Sequence, residues 1–273
     1  MGLLKAGAGA LGGVLADQWR EFLYCDSLGA DTLVARGRKR ALNCDSNVSG
    51  NQNAIIDGSI IAVNDGQCML IVDEGAVVEV SAEPGEYVFD ASSEPSILCG
   101  SLGLGLKETF TQMGKRFTLE DDNDKRVYFF NTKEMQRNKC GTASPILFCA
   151  SGDGDGQNTN VAVRCNGEFS YRICDPLLFY KNVSGDVEEN YMRDRIDGQL
   201  KSELLAVLQP AFSKLLERGV CYSAMPDHAE DLVEILNEQL FETWLNLRGI
   251  EMTAISVNSI FAVADSDMTA TRL

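Results

Sequence analysis

Hydrophobic positions change period along this chain, and the changes divide it into elements. Between Ile60 and Asp90 they fall in short blocks, IIAV, CMLIV, AVVEV and YVF, separated by Asp, Gly and Pro. This reads as a three-stranded meander. Asp65-Gly66 predicts a two-residue hairpin pairing Val63 with Cys68 and Ile61 with Leu70. Glu74-Gly75 predicts a second turn with Val72 opposite Val77, and Glu83-Pro84-Gly85 closes the third strand. Upstream, Trp19–Cys25 and Thr32–Arg36 read as short strands, and Gly37–Asn53 as a polar loop.

The period then lengthens. Leu102, Leu106, Phe110, Met113 and Phe117 recur at helical spacing. Val127–Phe130 and Ile146–Ala150 read as strands. Asn166-Gly167 predicts another hairpin, flanked by Asn160–Cys165 and Glu168–Cys174. Asp175-Pro176 predicts a short helix through Tyr180, with Asp175 as N-cap and Pro176 in the first turn. From Asp186 to Glu217, Val187, Tyr191, Ile196, Leu200, Leu204, Leu208, Phe212 and Leu215 predict a long amphipathic helix, which Pro210 should kink or divide. Pro226–Leu247 predicts another helix with Leu232, Leu236, Leu240 and Trp244 on one face. Ile250–Val263 returns as a strand.

The N-terminus obeys a different logic. Leu3–Ala16 is apolar and rich in Gly and Ala, but too short to span a bilayer, which takes ~20 residues. Leu4, Ala8, Leu11, Leu15, Trp19 and Phe22 follow helical spacing, and each interior glycine costs such a helix about 1 kcal/mol. Two readings stand: an interfacial membrane anchor using Leu3, Leu4, Leu11, Val14, Leu15, Trp19 and Phe22, or a disordered or self-packing tail.

Composition narrows the function. The chain has 273 residues, 45% of them hydrophobic, and carries a net charge of −16. That charge excludes a nucleic-acid binder built on phosphate neutralisation and a purely electrostatic membrane contact. Nine scattered cysteines with no C-x-x-C read as small buried hydrophobes, not as a zinc site.

Candidate chemistry is thin. Gly7, Gly9 and Gly12 match G-x-G-x-x-G without the strand that motif requires. Gly100–Lys107 lacks the adjacent Gly-Lys-Ser/Thr of a phosphate loop. Ser151–Gly156 resembles half a calcium loop, but Ala162 stands where the bidentate Glu belongs. His228 is the single histidine, and it reads as a capping residue. On the long helix, Glu189 pairs with Arg193 at i, i+4, and these two with Arg195 form a candidate oligomer contact.

The order of pieces resembles the SPFH or band-7 domain, the superfamily of stomatins, prohibitins and flotillins. The resemblance rests on the strands and turns of Ile60–Asp90 with their PGEY close, on Val161, Val163, Tyr171, Arg172, Ile173, Asp175 and Pro176, and on Gly249-Ile250 before the last strand. It is similar to a bacterial branch labelled "virion core protein-like", which also begins MGLLK.

The resemblance implies an α+β fold with mixed, largely antiparallel sheet, hairpins and two longer C-terminal helices. Residues 1–25 would form the membrane segment, and 26–273 the domain, with an insertion at about 91–158. The coiled coil and zinc ribbon of relatives are expected to be absent. It further implies a non-enzymatic homo-oligomeric scaffold with no cofactor or metal, peripheral on the cytoplasmic face of the cell membrane, alongside a soluble cytoplasmic pool. Expected partners are lipid and phage-shock-type membrane proteins or membrane proteases. The alternative is a soluble interaction module regulating a membrane protein or protease.

Overall fold

A computed structural model describes residues 2–5, 21–26, 28–40, 55–90, 97–113, 125–142, 145–151, 158–220 and 222–262. In chain order the strands and helices are β1 (Gly2–Lys5), β2 (Phe22–Tyr24), β3 (Thr32–Arg36), β4 (Arg38–Lys39), β5 (Ile60–Val63), β6 (Gln67–Asp73), β7 (Ala76–Ser81), β8 (Gly85–Asp90), β9 (Ile97–Leu98), α1 (Gly103–Met113), β10 (Lys125–Asn131), β11 (Met135–Gly141), β12 (Ile146–Ser151), β13 (Asn158–Ile173), α2 (Pro176–Phe179), β14 (Asn190–Met192), α3 (Asp194–Glu217), α4 (Ala229–Leu240) and β15 (Ile250–Ala262). This is a mixed α+β fold with largely antiparallel sheets. Two compact units share the chain. Unit 1 comprises Met1–Lys133, Ile173–Arg193 and Leu247–Gly249, and unit 2 comprises Glu134–Arg172, Asp194–Asn246 and Ile250–Leu273.

Unit 1 contains two sheets, ordered β1-β8-β5-β2-β4 and β14-β3-β10-β6-β7-β9. A shared core joins them, with Leu23, Ile61, Tyr87 and Phe89 from the first sheet and Met69, Ile71, Val127 and Phe129 from the second. β6 is buried along its whole length. Its second face is covered too, because β10, its neighbour, places Tyr128 and Phe130 6.0 and 6.3 Å (ring centroids) from Tyr180 and Phe179 of the α2 region. Cys68, Met69, Leu70, Ile71 and Val72 are at most 1% exposed. Their burial contributes on the order of 10 kcal/mol before chain entropy is counted.

The Glu74-Gly75 turn forms as expected, with φ of 48° and 80° and Val72 opposite Val77. The Asp65-Gly66 hairpin does not form. β5 pairs with β8 and β2, and β6 pairs with β10 and β7, so both edges of each strand are taken. Only Gly66, at 74°, has positive φ in this turn. A type I′ hairpin turn needs it at both positions and a type II′ turn at the first, where Asp65 lacks it, and other turns splay the strands. Asp65-Gly66 therefore carries the chain from one sheet to the other.

Asp175 caps α2 as expected. Its Oδ1 accepts from the N–H of Leu177 and Leu178, at 3.0 and 3.2 Å, and Thr109 donates to Oδ2 at 2.6 Å. Burial raises its carboxyl above the usual range, and those three donors hold it back. The cap continues through Tyr180–Ser184 as a π-helical turn.

Unit 2 sets α3 and α4 against a sheet built on β13. Ile196, Leu200, Leu204, Leu208, Phe212 and Leu215 form the buried stripe of α3, and Leu232, Leu236, Leu240 and Trp244 that of the α4 region. Tyr171 and Trp244 reach α3 carboxylates, donating to Asp197 at 2.7 Å and Glu203 at 2.9 Å, so these buried aromatics keep their polar ends satisfied. Asn237 of α4 brackets β15 by donating to Met252 O and accepting from Met252 N.

The Asn166-Gly167 hairpin is also overturned. β13 runs through both residues as one strand of 16, its edge taken by β11 and then β12. Gly167 serves close approach instead. A Cβ there would stand 2.0 Å from Ser256 O, and Gly167 lacks the positive φ of a turn residue. Pro210 lies inside an unbroken α3, and α3 starts at Asp194, not Asp186, because Asn190–Met192 pairs with β3. Pro226 falls in a 3₁₀ turn ahead of α4. The strand β11 has no alternating pattern to announce it. It contains a bulge in which Arg137 takes φ 62° and Asn138 donates to Met135 O and Phe169 O.

Two substitutions separate these glycine roles. Gly167→Ala is expected to cost about 1–3 kcal/mol through forced backbone displacement. Gly198→Ala, on an exposed turn of α3 with open space at Cβ, should stabilise by up to ~1 kcal/mol. Chemical denaturation of both variants checks the contrast, and equal effects would contradict the close-approach role of Gly167.

Candidate interaction surfaces

The five-stranded sheet of unit 1 buries one face, through Leu3, Leu23, Ile61, Val63, Tyr87 and Phe89, and leaves the other half-exposed. Register fixes what stands on that outer face. Phe22 is the partner of Ile60, and Ile60 of Val88. Tyr24 pairs with Arg38, and Phe22 O accepts from Arg40 N at 2.8 Å. The result is a row Arg40–Phe22–Ile60–Val88 and, beside it, Arg38–Tyr24–Ala62–Glu86.

The two aromatic rings lie 6.3 Å apart, and the Arg40 guanidinium sits 6.0 Å from the Phe22 centroid, within cation–π reach. Lys39 is turned to the other side of β4, where it pairs with Glu21 at 2.7 Å. The turn before β5 carries Ile56, 45% exposed.

The sequence-predicted membrane residues distribute unevenly over this sheet. Gly2–Lys5 is a strand paired with β8, and Phe22 lies in β2, so both ends of the expected helix are corrected to strand. Long-range pairing supplies the backbone bonds that a glycine-rich helix in water could not retain. Leu3 is 7% exposed and belongs to the core. Leu4 is the register partner of Val88, which extends the row that holds Phe22. Leu11, Val14, Leu15 and Trp19 lie outside the described residues.

The residues of the predicted oligomer contact do not share one helix. Glu189 precedes α3 and its carbonyl accepts from Arg36 N at 2.8 Å. Arg193 approaches Asp31 at 3.6 Å and Ala30 O at 3.5 Å, and Arg195 is exposed in the first turn of α3. Glu189 and Arg193 therefore do not stand at i, i+4 on a helix, because α3 begins at Asp194. In unit 2 a polar set stands on the sheet instead. Glu134 accepts from Gln136 and Thr253, each at 2.8 Å, which lowers its carboxyl, and Arg172 pairs with Glu251.

Catalytic chemistry finds no assembled site among the described residues. His228 Nδ1 lies 2.8 Å from Asp231 Oδ2, three residues away on α4. It stands at the N-cap position, but its side chain makes no capping bond. Gly100–Leu102 forms a 3₁₀ turn into α1, not a phosphate cradle. No described cluster of His, Cys, Asp and Glu is placed to hold a metal. Gly7, Gly9, Gly12 and residues 152–157 lie outside the described residues.

Among the described thiols, Cys25, Cys68 and Cys140 are poor nucleophiles. Burial, with Asp26 adding to it against Arg38, pushes Cys25 up to about 11; burial and neighbouring Cys165 push Cys140 up to about 11. Cys68, wholly buried, is raised further.

No described helix is long and apolar enough to cross a membrane. The chain matches the SPFH domain-Band 7 family over residues 48–267. It belongs to that family. SPFH proteins are in general membrane-associated scaffolds without enzymatic activity. No curated protein matches the chain closely enough to name a relative. Arg38 and Arg40 were not singled out by pattern reading, which placed them in a polar loop; four cations in Arg36–Arg40 were the available signal.

With thiol pKa values near 11, about one Cys25 or Cys140 in a thousand is thiolate at pH 8. Iodoacetamide at that pH should leave Cys25, Cys68 and Cys140 unmodified in the folded protein and alkylate all three in denaturant. Peptide mass mapping reads the result, and rapid native alkylation of any of them would overturn the inert-core assignment.

Proposed function

We propose that this SPFH chain is a non-enzymatic, peripheral membrane scaffold that assembles with copies of itself on the cytoplasmic face of the cell membrane. The observation that carries the reading is the outer face of the β1-β8-β5-β2-β4 sheet, where Phe22, Tyr24, Ile60, Ala62 and Val88 stand half-exposed. A soluble monomer gains nothing from an aromatic-aliphatic sheet face in water, and each half-buried side chain there has apolar area still to bury. Family membership supplies the class of partner that would bury it. The N-terminal residues Leu4, Leu11, Val14, Leu15 and Trp19 complete the proposed lipid contact, and Leu3 is withdrawn from it by its place in the core.

The scaffold role requires self-association, and the polar sheet surface around Glu134, Arg172, Glu251 and Thr253 supports a specific lateral contact better than the region of Glu189, Arg193 and Arg195. Paired charges and hydrogen bonds on an open sheet face set register between like copies more than they add affinity.

Flotation tests the membrane half of the reading: the purified chain should rise through a density gradient with vesicles of at least one lipid composition. Light scattering after size exclusion tests the other half, with a discrete particle several times 29.8 kDa expected. A chain that stays at the bottom with every vesicle and elutes as a monomer would be a soluble interaction module instead.

A further inference from the structure

We infer that the β2–β4 end of the outer sheet face is a docking site for anionic phospholipid, with Arg38 and Arg40 on the headgroups and the Phe22–Ile60–Val88 row against the acyl boundary. The inference rests on the membrane reading above and names the lipid class it requires.

Three observations meet at this edge, and a fourth lies in the turn at the β5 end of the face. First, the chain's cations concentrate here. Arg36, Arg38, Lys39 and Arg40 occupy four of five consecutive positions in a chain with 24 basic and 40 acidic residues. Second, strand alternation sorts them. Lys39 turns away to Glu21, while Arg38 and Arg40 share the outer face with Tyr24 and Phe22 and are exposed. Third, the row beside Arg40 is apolar for three further strands. A cation at one edge of an aromatic-aliphatic surface matches the headgroup-to-hydrocarbon gradient of a bilayer interface, where aromatic rings and long cationic side chains collect. Fourth, Ile56 is exposed in the turn that leads into β5.

Glu86 and Asp90 of the same face are too distant to cancel the effect, and Asp26 offsets part of the Arg38 charge. Glu86 and Asp90 stand on β8, three strands from β4. At strand spacing that is roughly 14 Å, beyond the ~8 Å screening length at physiological ionic strength. Asp26 follows β2 and is nearer. Arg38 is close enough to Cys25, beside Asp26, to act on its thiol. The overall charge of −16 repels an anionic surface at long range, so the contact is short-ranged, orientation-specific and sensitive to salt. A nucleic acid would need cations spread along a groove to follow its phosphates, and this face offers two at one edge.

The test uses the full chain with vesicles of pure phosphatidylcholine and of phosphatidylcholine mixed with phosphatidylglycerol. Each arginine at an anionic surface is worth about fivefold in affinity, so R38Q/R40Q should bind the mixed vesicles about thirtyfold more weakly. The unsubstituted chain should prefer mixed over neutral vesicles and lose that preference as salt is raised. K214Q/R218Q, which removes two exposed charges from the α3 end of unit 2, should change nothing. Thermal melts confirm that both variants fold.

Equal binding of the unsubstituted chain to neutral and mixed vesicles overturns the inference while leaving the membrane reading intact. Full binding by R38Q/R40Q overturns it as well. No binding to either vesicle defeats both. Capture of single-stranded DNA that R38Q/R40Q abolishes, without vesicle binding, reassigns the face to nucleic acid.

Discussion

Unit 1 depends on the two-sided burial of Gln67–Asp73. A strand dry on both faces must lie inside its sheet with cover above and below, and here the cover is the first sheet on one side and the α2 region on the other. That position uses both edges of β6, so β5 is released to the other sheet despite being its neighbour in sequence. β5 then joins β2 in parallel, β2 holds β4, and the outer face with its arginine edge follows. The surface proposed for lipid is thus a consequence of where the apolar run CMLIV had to go.

Unit 2 is organised by backbone proximity. Gly167 lets the chain at Ser256 come closer than any side chain would permit, and β13 stays unbroken so that β11 and β12 can follow one another along it. The helices fill one side with leucine at every fourth position. What remains on the sheet is polar and internally bonded, through Glu134, Thr253, Arg172 and Glu251. The two sheet faces so differ in chemistry: aromatic and aliphatic with a cationic edge in unit 1, paired charges in unit 2.

The thiols of Cys25, Cys68 and Cys140 are raised by burial, so they resist ionisation where they pack. The single histidine spends its Nδ1 on Asp231 of its own helix.

Much of this was legible in the sequence because it is local. Asp175-Pro176 dictates a capped helix start through its own side chain and ring, and the Leu200-to-Leu215 spacing dictates a buried helical stripe. Glu74-Gly75 dictates its turn because the two strands it joins have nowhere better to pair. Asp65-Gly66 and Asn166-Gly167 carry the same kind of signal and yield different structures, since strand pairing is decided by distant segments competing for the same edges. The strand state of Gly2–Lys5 and Asn190–Met192 likewise comes from β8 and β3. The sequence by itself determined the long helices with their buried stripes, the Asp175 cap, the Glu74-Gly75 turn and the family. Only the tertiary structure decided which strands are neighbours, and therefore that Arg38 and Arg40 share a face with Phe22 and Tyr24, because a strand's outward residues acquire chemical meaning only from the strands beside it.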